Sequence, residues 1–151
     1  MAIVQNAFSS APAKGYPGMV ANGETSNRIS RTCEDAAGIA FGKAVFRGSG
    51  DHGCTGTPAA GAGLGFAIAD HGIPVVPGGV AADIYPQYAN VGIMNAGAIY
   101  VTAGEDVTDG AAVYVTAGGV IVDTVGANIA MDGWVFDETV SSGGIVRIVR
   151  R

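Results

Sequence analysis

One hexapeptide occurs twice within thirty-two residues, and it limits this chain to a fold of short strands. In the stretch Val91–Val122, Ile99-Tyr100-Val101-Thr102-Ala103-Gly104 returns almost unchanged as Val113-Tyr114-Val115-Thr116-Ala117-Gly118. Each copy is a β-branched and aromatic run closed by glycine, the pattern of a strand running into a turn. Between the copies lies Glu105-Asp106-Val107-Thr108-Asp109-Gly110. Asp-Gly is a strong turn pair, since Gly accepts positive φ and Asp can bond its own backbone. Two copies of so short a unit do not make a solenoid. They read as successive strands of one small, mostly antiparallel β domain.

Further strands follow from alternation. Ile39–Arg47 is expected as one strand, and Leu64–Ile68 as another, with Leu64, Phe66 and Ile68 on one face and only Gly65 and Ala67 on the other. Minimal residues on one face suit a backbone approached closely from that side. Residues 48–63 read as a glycine-rich loop. Ile73–Pro77 is β-prone, but its prolines confine it to an edge. Val91–Met94 reads as a short strand of its own before an Asn95-Ala96-Gly97 turn. Val120–Val122, Gly133–Phe136 and Ile145–Arg150 complete about eight or nine strands, with Trp134, the single tryptophan, in the core. No apolar stripe of helical period is present. At 151 residues one domain is expected, with residues 1–36 as an extended N-terminal arm broken by Pro12, Gly15, Pro17, Gly18 and Gly23, and 37–151 as the β domain.

Charge is unevenly distributed. All eight Lys and Arg lie near the ends: Lys14, Arg28, Arg31, Lys43 and Arg47, then Arg147, Arg150 and Arg151. The span 48–146 has none, and holds ten of the thirteen acids. It carries −10 against +5 for the rest, giving the net −5. Phosphate binding needs clustered cations, so a nucleic-acid partner is not expected. The basic ends are expected to face an acidic partner and the acidic middle to face solvent. The longest uncharged apolar stretch, 53–69, is too interrupted for the ~20 apolar residues of a spanning helix, and Met1–Val4 lacks the features of a signal peptide. A soluble protein made in the cytoplasm, with no membrane partner, is the expectation. Cys33 and Cys54 do not make a disulfide framework.

Reactive sites are poorly supported. Asp51-His52-Gly53 and Asp70-His71-Gly72, with Cys33 and Cys54, supply zinc-ligand types. Neither paired short spacing of zinc modules is present, and Asp-His-Gly is good loop chemistry. A cysteine nucleophile would need an oriented histidine, and no third group is evident. Gly61–Gly65 mimics part of a dinucleotide fingerprint but precedes a strand, where a helix is required. No catalytic residue, cofactor or metal is expected.

Several segments, in order, resemble the small cement, or decoration, proteins of tailed-bacteriophage capsids that carry a β-tulip domain. They are Pro17-Gly18-Met19, Ile39–Val45, Leu64–Asp70, Tyr88, Asp106–Thr116, Ala130–Phe136 and Gly143–Ile148. The resemblance implies an all-β, barrel-like domain and a non-enzymatic role. It implies a place on the outer capsid surface of the virion after synthesis in the host cytoplasm, clamping neighbouring major capsid subunits. It also implies a homo-oligomer, trimer before dimer. Capsid and subunit contacts are then expected from the arm and the basic closing strand, at Met19, Arg28, Ile29, Arg31, Arg147 and Arg150. Arg28 and Arg31 would form salt bridges to capsid acids. Deleting residues 2–30 should abolish binding and leave the β domain folded. The rival expectation is a receptor- or glycan-binding head-fibre or tail module, for which Tyr85 and Tyr88 are the candidate exposed aromatics.

Overall fold

The computed structural model describes residues 14–75 and 77–151, and among these there is no helix. Eleven strands occur in chain order: β1 (Asn27–Cys33), β2 (Ile39–Ala40), β3 (Ala44–Arg47), β4 (Gly53–Thr55), β5 (Gly63–Ala67), β6 (Ile84–Tyr85), β7 (Asn90–Thr102), β8 (Ala112–Val115), β9 (Ile121–Val122), β10 (Ile129–Phe136) and β11 (Ile145–Arg150). The fold is all-β and mostly antiparallel, with β1–β4 as the parallel pair.

The strand β7 belongs to both halves of the molecule. Its first half pairs with β1 on one side and β5 on the other, at Ile29↔Ile93 and Ala67↔Ile93. With β4 and β3 these strands close a five-stranded barrel in the order β1-β4-β3-β5-β7. Closure removes the free edges that would otherwise invite aggregation. The second half of β7 pairs with β11, and the sheet continues through β10 and β8 to β9. That sheet curls until Ile121 bridges Ala103, just past the end of β7, where the Gly104 amide donates to the Ile121 carbonyl at 2.8 Å.

Alternation along the shared wall separates two cores. Val45, Cys54, Leu64, Val91 and Ile93 fill the barrel with Ile39, Phe41 and Tyr85. Ala44, Phe46, Phe66 and Met94 stand on the wall's other side and meet Val101, Trp134, Phe136 and Ile148 of the second sheet. Trp134 is buried, edge-on to Phe66 with ring centroids 4.9 Å apart.

Several local expectations change. Val91–Met94 is no separate strand but the first part of β7, because Ala96 still pairs with Asn27 of β1 past a bulge at Asn95, and Gly97 pairs with Arg150 of β11. The two hexapeptide copies are not neighbours: β11 and β10 lie between β7 and β8. The run Ile39–Arg47 divides into β2 and β3, since Gly42 sits at φ +72 beneath Pro17 and Gly18, where a Cβ would collide. Leu64 and Phe66 enter different cores, because Gly65 at φ +142 breaks the alternation. The same glycine bears out the expected close approach: a Cβ there would run into the Met94 carbonyl. The loop 48–63 contains β4, β6 forms at Ile84–Tyr85 where no strand was expected, and the described part of Ile73–Pro77 forms no strand.

The arm also changes. Residues 27–33 are β1, a stave of the barrel, so the β domain begins well before residue 37. Upstream, the Gly18 amide donates to the Tyr100 carbonyl at 2.8 Å, the Tyr100 amide to Met19 at 2.9 Å, and the Ala21 amide to Ala98 at 2.9 Å. Residues 18–21 are thereby strapped along β7. Residues 1–13 of the expected arm lie outside the described residues.

Candidate capsid interface

The expected contact residues fall into two groups. Arg28, Ile29 and Arg31 stand on β1, where alternation sends Arg28 and Ser30 outward and turns Ile29 and Arg31 toward the side that bears Cys33. Ile29 is half-buried against the barrel core. Arg28 is exposed, its Nε donating to Ser26 Oγ at 3.1 Å. Arg31 is half-buried, its Nη1 donating to the Ser30 carbonyl at 3.0 Å. Among the described residues neither arginine meets a carboxylate. Their charges are uncompensated by an acid of this chain, as a contact to an acidic neighbour requires.

The second group is engaged internally. Arg147 Nε holds Asp137 at 2.8 Å, and Arg150 Nη1 donates to the Asn95 carbonyl at 3.1 Å. Arg151 reaches Glu24 at 3.0 Å, and Lys14 reaches Glu138 at 3.0 Å. The Glu24 carboxyl is held below its ordinary range, first by its hydrogen bond with Arg151. Three of the eight cations, Lys14, Arg147 and Arg151, therefore meet acids of the same chain. Met19 is half-buried in the strap along β7.

The glycine-rich loop after β3 is organised by two acids that the sequence did not single out. Glu34 accepts from the Ser49 amide at 2.7 Å, the Ser49 hydroxyl at 3.0 Å and the Gly50 amide at 2.8 Å. These donors, the Ser49 amide first, hold its carboxyl below the ordinary range. A Cβ at Gly53 would collide with that carboxylate, which accounts for the glycine. Asp35 accepts from Thr55 Oγ1 and the Gly56 amide, both at 2.6 Å. The available signal was an adjacent acidic pair, Glu34-Asp35, right after β1, with a glycine-rich loop beyond β3.

The residues weighed for metal or thiol chemistry occupy ordinary structural places. Cys33 and Cys54 are free, buried and paired across β1 and β4. Burial pushes both thiols up, Cys54 to about 12. His71 stacks edge-on to Tyr16 and Phe41 at 5.1 and 5.8 Å, on a cleft of about 560 Å³ that Pro17, Lys43, Asp83, Thr102 and Ile121 also line. Asp70 Oδ1 accepts from the Gly72 amide at 2.9 Å, a local turn bond. Among the described residues no three of His, Cys, Asp or Glu converge on a point where a metal could sit. Of the candidate exposed aromatics, Tyr85 is buried and its hydroxyl donates to the Ile68 carbonyl at 2.6 Å, so it presents no ring to a glycan. Tyr88 is exposed.

Residues 4–151 match the family described as "Structural cement protein (E217 gp24/Pam3 gp6)". The chain belongs to that family of phage structural cement proteins, and its place is with the capsid of a virion. Among solved structures it is similar to a chain of "The capsid of Myoviridae Phage XM1", at 18% identity and a TM-score of 0.68, over 97% of this chain and 96% of that one. At that identity the likeness establishes the shared fold. No curated protein matches the sequence.

Proposed function

We propose that the protein binds the outside of a phage head and clamps neighbouring major capsid protein subunits, without catalysing a reaction. The family match over residues 4–151 carries this reading. The fold suits the task, because two cores share the wall containing β7 and a load on one half reaches the other through hydrogen-bonded strands. The contact surface is assigned to residues 1–13, Met19 and the β1 residues Arg28, Ile29 and Arg31. Arg147 and Arg150 support it from within the chain. A homo-oligomer, trimer before dimer, multiplies weak clamps, since each further contact on a lattice is effectively intramolecular. Synthesis takes place in the host cytoplasm before assembly.

The test is co-sedimentation with heads prepared without the protein. Wild type should pellet with the heads and raise the temperature at which they rupture. Arg28→Glu with Arg31→Glu should weaken binding about tenfold or more, as losing and reversing two charge-assisted contacts does, while circular dichroism stays unchanged. Wild-type protein that stays in the supernatant contradicts the cement reading. Undiminished binding by the double variant removes these two arginines from the interface.

A further inference from the structure

Tyr88 is held in a conformation that a tyrosine rarely adopts, and it is mostly open to solvent. Its φ is +68°, and it is the only non-glycine with positive φ among the described residues. It is 76% exposed, more than any other large apolar side chain described. The Ala89 amide donates to the Pro86 carbonyl at 3.1 Å, which closes a turn with Tyr88 in its third place. Glycine or asparagine ordinarily takes that place. The turn is pinned to the end of β1. The Tyr88 amide donates to the Cys33 carbonyl at 2.8 Å, the Cys33 amide to Ala89 at 2.9 Å, and Gln87 Nε2 to the Glu34 carbonyl at 3.0 Å. The ring thus projects from a fixed platform, and the backbone strain that keeps it there is not repaid by packing within the chain. Strain of this kind collects at binding sites.

Beside it lies a surface loop without a polar side chain. The run Gly72–Ala82 has no hydroxyl, amide or charge on any side chain. Pro74, Val75, Pro77, Ala81 and Ala82 are exposed, Val75 at 62%. Pro86, the first residue of the tyrosine's turn, lines the same hollow as Ile73, Pro74 and Val80. An exposed apolar run and a rigid aromatic two residues along the chain from its hollow are the make-up of a protein contact. Sugar recognition relies on polar side chains beside the ring, and the run Gly72–Ala82 supplies none.

We infer that Tyr88 and the loop segments Ile73–Val75 and Gly79–Ala82 form a docking patch for an apolar surface of a capsid subunit, with Tyr88 as its anchor. The inference rests on the cement reading above. The patch is small: several short side chains and one ring fall short of the about 800 Å² per partner that a free-standing complex buries. It suits a lattice, where other contacts hold the chain in place, better than a dimer that must hold together by itself.

The experiment titrates wild type, Tyr88→Gly and Val75→Asp onto heads prepared without the protein, with melting and sedimentation velocity alongside. Tyr88→Gly should melt at the wild-type temperature or above it, because glycine accepts the positive φ freely. It should bind heads at least tenfold more weakly, and Val75→Asp should do the same without loss of fold. Wild-type affinity in both variants overturns the patch while leaving the cement reading intact. A changed oligomer mass with head binding unaltered overturns it in favour of a self-contact. Loss of binding on a glycan array with head binding unaltered overturns it in favour of carbohydrate. Failure of wild type to bind heads overturns the cement reading and the patch together.

Discussion

Gly65 shows how one missing side chain lets two cores exist. At φ +142 and pressed against the Met94 carbonyl, it turns β5 so that Leu64 enters the barrel and Phe66 meets Trp134. Gly65→Ala should cost about 3 kcal/mol, combining a strained backbone with a buried collision. Chemical denaturation would measure the loss, and a cost below about 1 kcal/mol would mean that β5 accommodates the methyl group. Large side chains alternating with small ones made the close approach legible in the sequence. They did not show the break in alternation, because the φ of a glycine leaves no mark on the residues around it.

Elements made by local alternation were legible, and elements made by distant partners were not. β5, β8, β9, β10 and β11 stand within a few residues of where apolar and β-branched runs place them. β4 was hidden because Gly-Cys-Thr has little strand character and forms only as β1 and β3 flank it. The arm was overestimated because Asn27–Cys33 is polar on its outer face and reads as a linker until β4 and β7 pair with it. Consequently, deletion of residues 2–30 should unfold the barrel, contrary to the expectation from sequence, whereas deletion of residues 2–13 should leave the melting transition cooperative. Amide exchange in β4 and β7 distinguishes the two. Acid stability belongs to the loops. The Glu34 carboxyl is lowered from 4.5 by the Ser49 and Gly50 amides, and that of Glu105 is lowered chiefly by Thr124. A depressed carboxyl stabilises the fold above its unfolded value, and that contribution is lost as pH falls through the folded value. The melting temperature should therefore hold steady near neutral pH and drop below 4.5. Glu34→Gln should lower it at pH 7 and flatten its fall in acid; an unchanged profile would mean that the loop contributes nothing to stability.

The charge distribution behind the candidate interface was legible in the sequence, and its pairing within the fold was not. Cations confined to the ends of the sequence pointed to contacts there, yet the fold brings Lys14, Arg147 and Arg151 onto Glu138, Asp137 and Glu24, none of which is adjacent in sequence except through folding. Arg28 and Arg31 remain without an acid on the strand that closes the barrel. Tyr88 belongs to the same molecule-wide pattern: its turn is held by hydrogen bonds to Cys33 and Glu34 at the end of β1, which no local run of residues encodes. Two cores sharing one wall give a stiff body, and a stiff body with several weak contact points is what a seam between capsid subunits can use. A cryo-EM map of the head that carries this protein tests that account. It should show the two-lobed β body outside the shell, spanning adjacent capsid subunits, with β1 and the Tyr88 turn against them. A head bearing the protein elsewhere, or one copy seated on a single subunit without reaching a second, would contradict the clamp.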